Sequence, residues 1–274
     1  MKTIRDLELA GKRVLVRVDF NVPMDEQGKI TDDIRIRMVL PTIQYVLEQK
    51  GKLILCSHMG RPKGQRVAAF SLAPVAAHLS ALIGREVRMA PDCIGDVTES
   101  MAASLQPGEV LLLENLRFYK EETENEPGFA EKLARLADVY INDAFAASHR
   151  AHASVAALPM LIQEKGAGFL LKTEMDFFHK AMAEPVRPLM AIVGGAKVSS
   201  KLGALQNMLD KVDRMIIGGA MANTFLKSQG FAVGASKTED DLLDTARQLV
   251  QTAKEKGVKL YFPEIGRASC RERV

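Results

Sequence analysis

Short apolar runs rich in Val, Ile and Leu alternate along the chain with longer amphipathic stretches, the pattern of βαβ units around a parallel sheet. The runs are Val14–Val18, Leu53–Cys56, Val110–Leu113, Val139–Ile141, Leu189–Val193, Met215–Ile217 and Lys259–Phe262. Helical periodicity fills the intervals at about 35–50, 72–83, 96–105, 128–137, 167–183, 198–212, 220–229 and 239–256. Gly51, Gly84, Gly230 and Gly257 fall just past helix ends, where a left-handed cap is wanted. This predicts the α/β class with doubly wound parallel sheets. The two prolines of Glu184-Pro-Val-Arg-Pro188 stop a long helical run ahead of a new strand and mark a linker. The first domain is therefore expected over 1–185, its last element the helix at about 167–183. The second begins at 186, and its three strands and three helices are short of core for an open sheet.

Composition narrows the picture. With 274 residues, 47% hydrophobic and 26% charged, the chain fits one large or two modest globular domains and excludes disorder, collagen and coiled coil. No apolar run nears the roughly 20 residues of a membrane span. Met1-Lys-Thr-Ile-Arg-Asp puts charge where a secretion signal needs its apolar core, so a cytoplasmic chain without a membrane partner is expected. Cys56, Cys93 and Cys270 show no C-x-x-C spacing and read as structural thiols, and no metal-ligand set is found. The net charge of +3 is unevenly spread: residues 1–185 hold 23 Lys+Arg against 25 Asp+Glu, and 186–274 hold 14 against 9. The last nine residues alone carry net +2, which makes the C-terminus compositionally odd.

In an open parallel sheet ligands sit beyond the carboxyl ends of the strands, and chemistry-bearing residues follow the apolar runs here. Arg17-Val-Asp19-Phe-Asn21-Val-Pro23 comes first, then Ser57-His58-Met-Gly60-Arg61-Pro62, then Glu114-Asn115-Leu-Arg117-Phe118, then Asn142-Asp143 leading to His149-Arg150-Ala-His152. Any one polar loop is unremarkable, but four successive strand ends sending such residues to one rim are not. A rim with Arg35, Arg61, Arg117 and Arg150 calls for a small polyanion, because guanidinium forks suit phosphate and carboxylate oxygens. Each charge-assisted bond contributes about 1.5–3 kcal/mol, enough in sum for micromolar binding of a phosphorylated metabolite. Nucleic acid is the competing anion. The acidic balance of the first domain and the lack of Trp, with aromatics at 5%, argue against it.

The second domain opens with a strand running into Gly194-Gly195-Ala196-Lys197-Val-Ser-Ser-Lys201, and its next strand runs into Gly218-Gly219-Ala220. Glycines at strand-to-helix turns let backbone approach a ligand. Lys197 and Lys201, four apart, are expected on one face of the first helical turn, where an anion would relieve their repulsion. G-x-x-x-x-G-K-[ST] does not occur, nor does a strand leading into G-x-G-x-x-G, which excludes a Walker A loop and a nicotinamide dehydrogenase.

These motifs, in their order and spacing, resemble phosphoglycerate kinase from residue 1 to about 263. The resemblance rests on Arg13–Pro23, Ser57–Pro62, Leu113–Phe118, Asp143–Ser154 and Ile192–Lys201. It implies two Rossmann-like domains, the first binding 3-phosphoglycerate and the second Mg-ADP or Mg-ATP. The implied reaction is the glycolytic phosphoryl transfer between 1,3-bisphosphoglycerate and ADP, carried out by a monomer whose domains close about a hinge. Residue by residue, Asp19 and Asn21 match the positions at the glycerate end, with His58 and Arg61 beside them. Arg35, Arg117 and Arg150 match the basic patch. Arg35, Lys197 and Lys201 match the groups that stabilise the phosphoryl in flight, and Gly194, Gly195, Lys201, Gly218 and Gly219 match the nucleotide turns. The Mg2+ contact is implied in a part of the family that lies beyond this chain.

Met59, Ala146 and Ala220 stand where the family usually has Leu, Gly and Gly. After Pro263 the family pattern stops, and Glu264–Val274 resembles nothing in it. With the charge anomaly, this suggests a truncated or frame-shifted product with a non-native tail and an incomplete second domain, able to bind 3-phosphoglycerate but impaired in turnover. The alternative is a non-catalytic module for a phosphorylated acid. Blander roles are expected elsewhere: His78 as a structural imidazole, His179 at the surface or between domains, and His149 as support for Arg150. Met175, Met182 and Met190 are read as gap-fillers, and Glu121–Glu126 as a solvated loop.

Overall fold

The computed structural model describes residues 1–183 and 185–263. Its contacts divide the chain into two compact units, Met1–Asp176 and Phe177–Val274. The division falls inside the long helix ahead of the expected linker, whose Glu184 lies outside the described residues, as does the suspected tail Glu264–Val274.

The first unit is built on six parallel strands: β1 (Arg13–Arg17), β2 (Lys52–Cys56), β3 (Val87–Met89), β4 (Val110–Leu112), β5 (Val139–Asn142) and β6 (Glu164–Ala167). Their spatial order is β3-β4-β2-β1-β5-β6. The four central strands are the four apolar runs. The two edge strands were not expected, because Val87-Arg-Met89 is short and Glu164-Lys-Gly-Ala167 has no apolar run. An edge strand has one neighbour and one open flank, so it lacks the sequence signature of a buried one.

Successive side chains of the central strands feed two cores. Val14, Val16, Leu53, Leu55, Val110, Leu112, Val139 and Ile141 pack on helices α1 (Ile34–Glu48) and α2 (Ala73–Ile83). Leu15, Ile54, Leu111 and Tyr140 pack on the opposite face with Ala102 of α3 (Asp96–Ser104). Each such aliphatic buried contributes about 1.5–3 kcal/mol, which fixes the register: a slip of one residue would exchange the two faces. Helices α4 (Lys120–Thr123), α5 (Pro127–Ala134), α6 (Phe145–Ser148), α7 (Leu158–Leu161) and α8 (Phe169–Met182) complete the unit, and α8 continues past its boundary. The chain leaves β1 toward β2 on one side and returns on the other at β5, which makes the carboxyl end of β1 a topological switch point.

The second unit holds β7 (Met190–Gly194), α9 (Leu202–Met208), β8 (Arg214–Gly218), α10 (Met221–Ser228), α11 (Leu243–Glu255) and β9 (Lys259–Tyr261). The three strands are parallel in the order β7-β8-β9. One core joins Met215 and Ile217 to Leu205, Phe225 and Leu249 of the three helices. The other face of the sheet is bare among the described residues, with Ile192 75% exposed.

Several local expectations change. Gly84, Gly230 and Gly257 are left-handed caps, but at Gly51 the left-handed residue is the preceding Lys50, φ 56°. Gly51 is needed for space, since a Cβ there would sit 2.8 Å from Val46 Cγ1. Met175 and Met190 are exposed and fill no gap. Cys56 and Cys93 are buried free thiols, and burial pushes Cys56 up to about 12; Cys270 lies outside the described residues. No helix among the described residues is long and apolar enough to cross a membrane.

Candidate functional site

Beyond the carboxyl ends of β1 and β2, one cavity of about 240 Å³ is lined by Asp19, Asn21, Arg35, His58, Arg61, Arg117 and Arg150, with Gly60 and Ala146. All seven sequence-predicted substrate residues meet there, though they come from five separate segments. Four are brought by the loops after β1, β2, β4 and β5, and Arg35 by the first turn of α1.

The loops are fixed by buried polar groups. Asn115, fully buried after β4, donates through Nδ2 to Met59 O (2.8 Å) and Phe70 O (2.9 Å) and accepts at Oδ1 from the amides of Met59 and Arg117. Both lone pairs and both protons are used, so Asn115 staples the His58–Arg61 loop to the Arg117 turn. Glu114 accepts from Ser71 Oγ and from the amides of Leu72 and Asn115, which ties the start of α2 to the same loop. Asn21 Oδ1 accepts from the Gly60 amide at 2.8 Å, and Arg35 donates to Asp19 Oδ2 at 2.7 Å.

The cavity is strongly cationic, and its histidine, His58, is not part of that charge. Burial, aided by Arg17, Arg117, Arg150 and His152, lowers the His58 pKa to about 2, so the imidazole is neutral at pH 7. His152 is shifted down for the same first reason, against the upward pull of Glu122. Arg117 is 8% exposed; it donates to Gly60 O at 2.9 Å, and its Nε has no partner. Its pKa is lowered by burial and by Arg150, Arg17 and Arg61 against the counter-effect of Glu122. Guanidiniums crowded this way with an unused donor form a site that an anion stabilises. Arg61, Arg117 and Arg150 also line a neighbouring cavity of about 370 Å³ with Lys63 and His152. Arg150 donates to His149 Nε2 at 3.2 Å, and His78 meets Asp33 at 2.8 Å.

Sequence reasoning missed the support behind the rim. Arg17 and Glu122 are fully buried, and Ser154 Oγ, donating to Glu122 at 2.6 Å, lies 3.0 Å from Arg17 Nε. Glu122 was expected in a solvated loop; it sits in α4 instead, and Glu126 caps α5 through the amides of Gly128 and Phe129. The run Glu121–Glu126 reads as solvent-facing because neither the partner Ser154 nor the burial is visible locally. The available signal was Arg17 itself, a cation inside an apolar strand that demands a buried counter-charge. Asp143 lies apart from the anion cavity, accepting from the Leu171 amide at 2.9 Å near the start of α8, and burial raises its pKa.

In the second unit the two glycine turns lie against each other. Gly219 has φ 71°, and a Cβ there would stand 2.8 Å from Gly195 O. Gly218, by contrast, has nothing within 4 Å of a Cβ position, leaving open backbone at the end of β8. Lys197 and Lys201 are not on a first helical turn, because α9 begins at Leu202 and Lys201 precedes it. The turn between them is closed by Glu239, which accepts from Ser199 Oγ at 2.6 Å and from the amides of Val198 and Ser199. Among the described residues no three His, Cys, Asp or Glu side chains converge as a metal site.

The family model for phosphoglycerate kinase matches residues 4–268, running past Pro263. The chain is 70% identical over 263 residues to phosphoglycerate kinase of Desulfotalea psychrophila, covering 96% of this chain and 67% of that protein. It is 56% identical over 261 residues to that of Moorella thermoacetica, covering 95% and 66%. Among solved structures, phosphoglycerate kinase from Coxiella burnetii matches with TM-score 0.84 at 44% identity, over 95% of this chain and 65% of that one. The Pyrococcus horikoshii enzyme matches with TM-score 0.80 at 30% identity, over 95% and 67%. The chain thus spans about two thirds of the length of the relatives it matches.

Proposed function

The chain belongs to the phosphoglycerate kinase family, and from that premise we propose that its first unit binds 3-phosphoglycerate and its second the phosphates of ADP or ATP. The observation that carries the reading is the single cavity lined by all seven predicted side chains. Arg61, Arg117 and Arg150 supply forks for a phosphate, and His58, Asn21 and Asp19 offer uncharged and acidic partners for a hydroxyl. Arg35, paired with Asp19 yet half exposed, can turn toward a carboxylate. That carboxylate is the acceptor of the phosphoryl group and is ionised at pH 7, so no general base is required. Transfer then depends on in-line placement and on cations around the equatorial oxygens, the role assigned to Arg35, Lys197 and Lys201. Gly194, Gly195, Gly218 and Gly219 would bring backbone to the nucleotide, and the open space at Gly218 supports this. Mg2+ bound with the nucleotide would neutralise its phosphates.

The 274-residue chain is expected to bind the acid and to turn over slowly, acting as a cytoplasmic monomer without nucleic-acid or membrane partners. Separate calorimetric titrations with 3-phosphoglycerate and Mg-ADP test this. Binding of the acid supports the cavity assignment, and binding of the acid alone favours a non-catalytic module. Arg117→Ala should weaken the acid by about a hundredfold, the loss of roughly two charge-assisted bonds. Absence of binding in the unaltered chain overturns the reading, and full turnover in a coupled assay overturns the impairment.

A further inference from the structure

A buried polar chain runs from the interior of the first unit to the wall of the anion cavity, and each of its bonds has a fixed direction. Glu122, with no exposed surface, accepts from the Ser154 amide at 2.9 Å and from Ser154 Oγ at 2.6 Å. The only proton of that hydroxyl is thereby committed, and its lone pair accepts from Arg17 Nε at 3.0 Å. A second guanidinium nitrogen of Arg17 donates to Val18 O, and the third lies 3.2 Å from His58 Nδ1. A guanidinium only donates, so Nδ1 must accept. Asp19 Oδ1, an acceptor that could claim a proton there, is 4.0 Å away, beyond hydrogen-bond reach.

We propose that Arg17, held from behind by Ser154 and Glu122, is a positioning residue that fixes His58 as the neutral imidazole protonated on Nε2. The cavity then meets an N–H donor at His58 rather than a cation. His58 lines the cavity, and its Nε2 makes no hydrogen bond among the described residues, so that donor is left for a ligand oxygen. The groups around the ring agree in sign. Arg117 and Arg150 oppose its protonation together with Arg17 and His152. The ligand atom opposite is accordingly an acceptor, a hydroxyl, carboxylate or phosphate oxygen, and an ammonium in its place is refused. Only the identity of that acceptor rests on the 3-phosphoglycerate reading; the tautomer does not.

Long-range 1H–15N correlation spectra of the imidazole rings in the 15N-labelled full chain read the tautomer without ligand. The expected result is a neutral, Nε2-protonated His58 between about pH 5 and pH 8. An imidazolium in that range, or a ring protonated on Nδ1, overturns the proposal. Ser154→Ala, checked for folding by circular dichroism, should add an Nδ1-protonated population and weaken 3-phosphoglycerate about tenfold while leaving Mg-ADP unchanged. Ser154→Thr, which keeps the hydroxyl, should restore the single tautomer. A folded Ser154→Ala chain with an unchanged ring spectrum overturns the positioning role. An Nε2-protonated ring in a chain that fails to bind 3-phosphoglycerate upholds the tautomer and overturns the substrate reading instead.

Discussion

The two units build the carboxyl ends of their parallel strands in opposite ways. In the first, long side chains do it: Arg17 and Arg117 are buried, and a staple of Asn115, Glu114, Ser154 and Glu122 holds the rim before any ligand arrives. In the second, backbone does it: glycines at 194–195 and 218–219 thin the turns, while Lys197 is exposed at the surface. The difference teaches where preorganisation resides. The Arg17 guanidinium stays buried because Ser154, Val18 and His58 take its donors and Glu122 stands behind Ser154, so the rim of the first unit is costly to disturb from a distance. The glycine turns of the second unit enclose no buried charge: Gly219 rests on Gly195 and Glu239 closes the segment after Lys197, so their sensitivity is expected to stay within that unit.

The largest effect that sharpens this contrast is expected for Glu122→Ala. Removing the buried counter-charge leaves Arg17 uncompensated and should lower the unfolding free energy by about 3–5 kcal/mol, read by denaturant melting. A loss below about 1 kcal/mol would erase the contrast. Gly219→Ala comes next: a Cβ at φ 71°, against Gly195 O, should cost about 1–3 kcal/mol in the second unit and leave 3-phosphoglycerate affinity unchanged. Loss of acid binding in that variant would show that the two sites are not separable.

Acid lability is the third test. The folded His58 pKa, about 2, lies below the unfolded value near 6.5, so below about pH 6.5 the unfolded chain binds the proton first. The stability associated with keeping His58 neutral is fully present above pH 6.5 and is lost as pH falls. The expected slope is about 1.4 kcal/mol per pH unit for this one group, and His58→Asn should remove that share. A slope unchanged in the variant would break the assignment. The smallest effect is expected for Lys197→Ala, exposed and without a buried partner to orphan. Its stability should stay within about 0.5 kcal/mol, and any loss should appear only in nucleotide binding.

What the residues alone determined was the α/β class, the seven apolar runs that became strands and the seven side chains that line one cavity. These are local or repeated signals: short continuous apolar runs for the strands, and polar and charged residues placed mostly just after them because that is where an open parallel sheet exposes its strand ends. Only the tertiary structure decided the edge strands β3 and β6, whose open flanks erase the apolar pattern. It also decided the burial of Glu122 and the length of the turn between Lys197 and Leu202, which Glu239 closes from 40 residues away. The reason is common to them. A charge reads as solvent-facing until its partner is known, and the partners of Glu122 and of the Val198–Ser199 turn are distant in sequence, where neither propensity nor spacing can find them.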